Sequence, residues 1–93
     1  MKTRQITLHE YELVDYINDN FKENALLEIS YNRVFIPGKI LYIDNSDELI
    51  ITLQLMGQLL HQTVDINVND IIEEIVELRY TYEEDEIIIS IVD

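Results

Sequence analysis

Apolar residues alternate with polar ones along most of this chain, and the clearest unit is residues 34–55, VFIPGKILYIDNSDELIITLQL. Two runs rich in Ile, Leu, Val and Tyr flank Asp44-Asn45-Ser46-Asp47, whose short polar side chains bond back to their own backbone and suit a turn. The pattern predicts a long β-hairpin on which the rest of the chain packs. Pro37-Gly38 marks a bend or bulge in its first strand, because proline removes a ladder donor and glycine allows close backbone approach. Beyond it, Ile40 and Tyr42 are expected on one face and Leu41 and Ile43 on the other, as in a strand covered on both sides.

The period changes near the start of the chain. Thr7 and Glu10 form a capping-box pair, with Ile6 and Tyr11 in the staple positions around it. Val14, Ile17 and Phe21 follow at helical spacing, which predicts a helix over 7–23 with Asp15, Asn18, Asp19 and Lys22 on its outer side. Residues 27–31 alternate as a half-buried strand, and Asn32-Arg33 makes a tight turn into the hairpin. Residues 59–66 alternate again, with Leu60, Val64 and Ile66 opposed to His61, Thr63 and Asp65. Asn69 or Asp70 can cap a single helical turn through Ile71–Glu74. Val76, Leu78, Tyr80 and Tyr82 share a face of the next strand, Glu83-Glu84-Asp85-Glu86 is a hairpin tip, and 87–92 is the last strand. The expected fold is a single domain over 1–93, mainly β with an N-terminal helix (α+β). Its strands, over 26–92, form a small, strongly bent antiparallel sheet or SH3/Sm-like barrel with a C-terminal hairpin.

Charge alters this picture more than composition does. Nineteen acids against six bases give a formal charge of −13. The excess is uneven: residues 1–64 hold nine acids and five bases, whereas 65–93 hold ten acids and one base, Arg79. Such a field repels nucleic acid and anionic membrane and draws in basic surfaces, although plain solvation is by itself a sufficient reason for it. No apolar run is long enough to cross a bilayer, and the N-terminus does not read as a signal peptide. The absence of cysteine fits a reducing compartment, so the expected location is cytoplasmic.

The run LLEISYNRVFIPGKILYIDNSDELIITL, followed by TVDINVNDIIEEI, resembles the YolD-like proteins of Firmicutes and their phages. The likeness covers about residues 25–76 and lies in the Gly38–Asp44 segment and the Asn69–Ile75 turn. It implies a helical segment before a small Sm- or SH3-like barrel and an accessory role in DNA repair, with no catalytic residues to carry over. Residues 77–93 add an acidic hairpin where that pattern ends.

Catalytic chemistry finds little support. Ser30 and Ser46 sit in a strand and a turn, His9 in a helical turn and His61 on the polar side of a strand, none with a nominated partner. Residues 83–86 lack the spaced frame of a calcium loop and read as a solvated tip. No cofactor, metal site or enzymatic activity is expected. The expectation is a binding module whose acids imitate phosphate and occupy a basic, nucleic-acid-binding surface of a partner protein. By size and charge alone this is analogous to phage-encoded inhibitors such as anti-CRISPR proteins. The residues expected to carry it are Asp65, Asp70, Glu73, Glu74, Glu77, Glu83, Glu84, Asp85 and Glu86, with Tyr80 and Tyr82 as anchors where they are not spent on core packing, the reading their alternation favours. Self-assembly through 87–92 as a free edge strand is the structural alternative.

Overall fold

The hairpin at the centre of the chain forms as its pattern dictates. In the computed structural model, which describes residues 2–57 and 62–93, strands β3 (Val34–Asp44) and β4 (Ile50–Leu55) pair antiparallel. The Asp44 carboxylate accepts the Ser46 N–H at 2.9 Å across the predicted turn. That bond holds the Asp44 carboxyl below its usual range. β2 (Leu26–Tyr31) joins β3 through Asn32-Arg33, both with positive φ, the two-residue turn that matches strand twist.

β3 is where the sheet turns. Its first half pairs with β2 and its second half with β4, overlapping at Gly38 and Lys39. The ladder slips between Ile40 and Tyr42, a bulge at Leu41. The slip reverses the expected faces: Ile40 and Ile43 point to the core, whereas Tyr42 is 55% exposed. Apolar residues on both sides of this strand therefore reflect a bulge, which bends a strand and raises its twist. A Cβ on Gly38 would lie 3.0 Å from both the Gln54 carbonyl oxygen and Leu53 Cβ, so glycine lets β4 close on the bend.

The remaining strands depart further from expectation. Residues 2–9 are not the approach to a helix but a strand, β1 (Lys2–His9), and α1 (Glu10–Asn20) begins directly after it. An N-terminal helix over 7–23 is thus corrected: Thr7 lies in β1, and His9 is the N-cap, its N–H donating to the Glu12 carboxylate at 2.9 Å. The cap lies two residues beyond Thr7. β5 (Thr63–Asn67) pairs with β4, with Val64 and Ile66 inward; Leu59, Leu60 and His61 lie outside the described residues. α2 (Val68–Ile71) is capped by Asn67, which accepts from Asn69 N–H, rather than by Asn69 or Asp70. β6 (Ile75–Tyr82) and β7 (Asp85–Val92) form the acidic hairpin, inserted within the sheet and not appended to it.

Among the described residues the sheet has seven strands in the order β1-β7-β6-β2-β3-β4-β5. It is mixed, because β1 runs parallel to β7 while the other pairs are antiparallel. β1 and β5 are its two ends, so it is open, and the expectation of a closed barrel or wholly antiparallel sheet is corrected. α1 lies over one face. Leu13 and Ile17 on α1, Leu27, Ile29, Ile40, Ile51, Leu53, Leu78 and Ile89 on the strands make one continuous core. Burying each such side chain contributes roughly 1.5–3 kcal/mol. Tyr80 joins them, its ring stacked on Phe21 with centroids 4.3 Å apart and its hydroxyl accepting the Lys22 N–H at 3.0 Å. Val76, expected beside Leu78 and Tyr80, is 62% exposed because β2 and β6 shift register next to it, and Ile75 is buried instead.

Replacing Gly38 by alanine is expected to destabilise the fold by about 1–3 kcal/mol, the scale of overpacking a tight contact. Urea unfolding checks this; an unchanged midpoint would show that β4 gives way freely at the bend.

Candidate functional site

The expected binding residues do not gather in one place. Asp70, Glu73 and Glu74 lie in and after α2, before β6 begins, whereas Glu83, Glu84, Asp85 and Glu86 lie beyond its end. The intervening strand has eight residues, so the two groups are separated by roughly 25 Å at about 3.3 Å per residue. Asp65 is on β5, at the opposite edge from β1, bonded to the Thr52 hydroxyl at 2.7 Å. Glu77 reaches Arg79 at 3.6 Å, and Glu28 reaches the same guanidinium at 3.7 Å. Tyr80, 5% exposed, is a core residue and not a surface anchor. Tyr82 is half-buried with the Lys22 ammonium 5.3 Å from its ring centroid. β7, expected as a free edge, is covered by β1 along its full length.

Carboxylates do converge at one end of the sheet. Glu10 at the start of α1, Glu73 after α2 and Asp93 beyond β7 come together from three separate segments. Loss of hydration, a hydrogen bond with Asp93 and repulsion from Asp93 and Glu73 raise the Glu10 carboxyl above its usual range. Among the described residues, however, no three His, Asp or Glu side chains are placed to hold a metal ion.

Hollows on the surface of the described residues differ in charge. One of about 300 Å³ lies on the face away from α1, lined by Glu28, Ser30, Phe35, Glu77 and Arg79, so its two acids are partly answered by a base. A wide one of about 670 Å³ beside the β6–β7 turn sets Lys2 against Glu83, Glu84 and Asp85. A third, about 400 Å³, runs between β1 and α1 and has acids without a base in its lining. Leu8 contributes from β1. From α1 come two adjacent rows at four-residue spacing, Tyr11-Asp15-Asp19 and Glu12-Tyr16-Asn20, as neighbouring stripes of a helix must lie. Tyr11 is 80% exposed, although its staple position predicted packing. Tyr16 packs edge-on against Phe21 and is thereby held at the wall.

This groove was not legible as a site in the sequence. The acids of α1 read as the outer side of a surface helix, and nothing in residues 2–9 announced a strand beside them. The one available signal was the repeated spacing of Tyr11, Asp15 and Asp19.

Because the raised Glu10 carboxyl holds its proton more tightly folded than unfolded, its contribution opposes folding above that range and disappears as pH falls below the unfolded value. Glu10→Gln is therefore expected to raise the melting temperature at neutral pH and to leave it unchanged near about pH 3, where both forms are uncharged. A lower melting temperature at neutral pH would mean that attraction to the helix N-terminus outweighs the repulsion.

No helix among the described residues is long and apolar enough to cross a membrane. Neither a curated protein nor a solved structure matches the chain. A family match does exist, and it replaces the YolD-like resemblance together with the phage and anti-CRISPR analogies, since that family is an archaeal one. Residues 4–90 match the family described as an uncharacterized protein conserved in archaea (DUF2097), and the chain belongs to that family.

Proposed function

We propose that this protein is a non-enzymatic binding module that engages a basic surface of a partner protein through the groove between β1 and α1. The observation that carries this reading is the composition of the groove: Glu12, Asp15 and Asp19 with Tyr11 and Tyr16, and no base among the lining residues. Carboxylates attract ammonium and guanidinium groups, and tyrosine rings supply flat contact area at low entropic cost while their hydroxyls stay wet. The overall charge of −13 adds long-range steering towards a basic partner, which raises association rates and falls away with salt. Nucleic-acid-binding proteins carry such surfaces as their electrostatic footprint and are the expected partner class.

The test compares three baits in an archaeal lysate: the unaltered protein, Glu12→Gln/Asp15→Asn/Asp19→Asn in the groove, and Glu83→Gln/Glu84→Gln/Asp85→Asn/Glu86→Gln at the tip. Glutamine at position 12 keeps an acceptor for the His9 N–H, so the helix start is retained. The expected result is a basic protein recovered by the first and third baits, released by rising salt, and reduced about tenfold or more with the groove variant. Equal recovery with the groove variant and loss with the tip variant would move the site to residues 83–86.

A further inference from the structure

We infer that β1 is a docking edge: a partner's extended, lysine- or arginine-bearing segment adds to the sheet beside it and places alternate side chains in the groove. This rests on the reading above for its charge preference and adds the mode of binding.

The edge is long and regular. β1 pairs with β7 from Lys2↔Asp85 to His9↔Val92 without a register shift, and it contains no proline. Edge strands that must not pair are commonly shortened, bulged, interrupted by proline or covered. β5, at the other end of the sheet, shows the first of these, with five residues. On β1, Lys2 and Arg4 supply charge towards one end only.

The direction of the backbone groups follows from one bond. Lys2 N–H donates to the Glu84 carbonyl at 3.0 Å, so Lys2 faces β7. In a strand the N–H and C=O of one residue point to the same side, and successive residues alternate. Arg4, Ile6 and Leu8 therefore face β7 as well, whereas Thr3, Gln5 and Thr7 direct their N–H and C=O away from the sheet. His9 N–H also points outward, and there the Glu12 carboxylate takes it at 2.9 Å. That bond places a groove carboxylate at the end of the open row.

Side chains of an added strand alternate between the two faces of the sheet. Those on the α1 side would stand in the hollow of about 400 Å³, opposite Leu8, Tyr11 and Tyr16 and within the field of Glu12, Asp15 and Asp19. Main-chain bonds then supply affinity and the groove supplies preference, the division of labour of strand-addition complexes. Lys2 and Arg4 lie towards the far end of the strand, so the added segment's basic residues belong beside Leu8 and not beside Lys2.

The test uses a short peptide alternating lysine with threonine as probe, the same peptide N-methylated at every second residue, and calorimetric titration of the whole protein. Binding is expected to weaken roughly tenfold or more on N-methylation, since several backbone bonds are lost while charge is kept. Gln5→Pro is expected to do the same without unfolding the sheet, because proline is tolerated where the N–H faces solvent. Equal affinity for both peptides, lost in the Glu12→Gln/Asp15→Asn/Asp19→Asn variant, would overturn strand addition while leaving the acidic groove as the site. Affinity unaffected by that variant would overturn both. Should Gln5→Pro fail to fold, the comparison of the two peptides still decides the matter.

Discussion

Among the described residues, seven strands and a single helix longer than one turn, α1 with eleven residues, set the terms for everything else in this protein. At about 4.8 Å per strand a flat sheet of this size would be roughly 30 Å across. A helix is only about 10 Å wide. α1 cannot cover such a face, so the sheet must curl until its own strands help to enclose the core. The bulge at Leu41 and the glycine at position 38 are the devices that permit it, at the strand that changes partner between β2 and β4. The result is a single cluster in which Leu13 and Ile17 of α1 share a core with Ile51 of β4 and Ile66 of β5.

That curl also explains why one edge stays open. α1 follows β1 without a loop, and its apolar stripe is spent on the core through Leu13 and Ile17. The neighbouring flank of the helix, with Tyr11, Asp15 and Asp19, is left facing the groove beside β1. β1 in turn takes the parallel place next to β7 and so shields the acidic hairpin from acting as the end of the sheet. The concentration of acid in the last third of the sequence is consequently dispersed in space, part before β6 and part after it. Three acids of the first third, Glu12, Asp15 and Asp19, line one groove.

The sequence announced strands more faithfully than it announced their arrangement. The hairpin at 34–55, the Asp44 turn and the strand at 75–82 were legible because apolar alternation and turn chemistry are local. Tyr42 and Val76 lie on the opposite faces from those that alternation predicts because a one-residue irregularity reverses the side chains on one side of it, and such slips are fixed by neighbouring strands. β1 was hidden for a different reason. KTRQITLH carries few apolar residues, as suits an edge strand, and its pairing with β7 lies more than eighty positions away in the chain. Missing it shifted the helix start by two or more residues and concealed the groove. Tyr80 reads from the alternation as a core residue first and an anchor second, and the stacking on Phe21 places it in the core.

Amide hydrogen exchange along β1, with and without the lysine-bearing peptide, tests the central claim most directly. Backbone N–H groups of Arg4, Ile6 and Leu8 should be protected throughout, because they face β7. Those of Thr3, Gln5 and Thr7 should exchange rapidly in the free protein and become protected when the peptide is present. Protection of all six amides before any partner is added would contradict the account, since the edge would then already be covered.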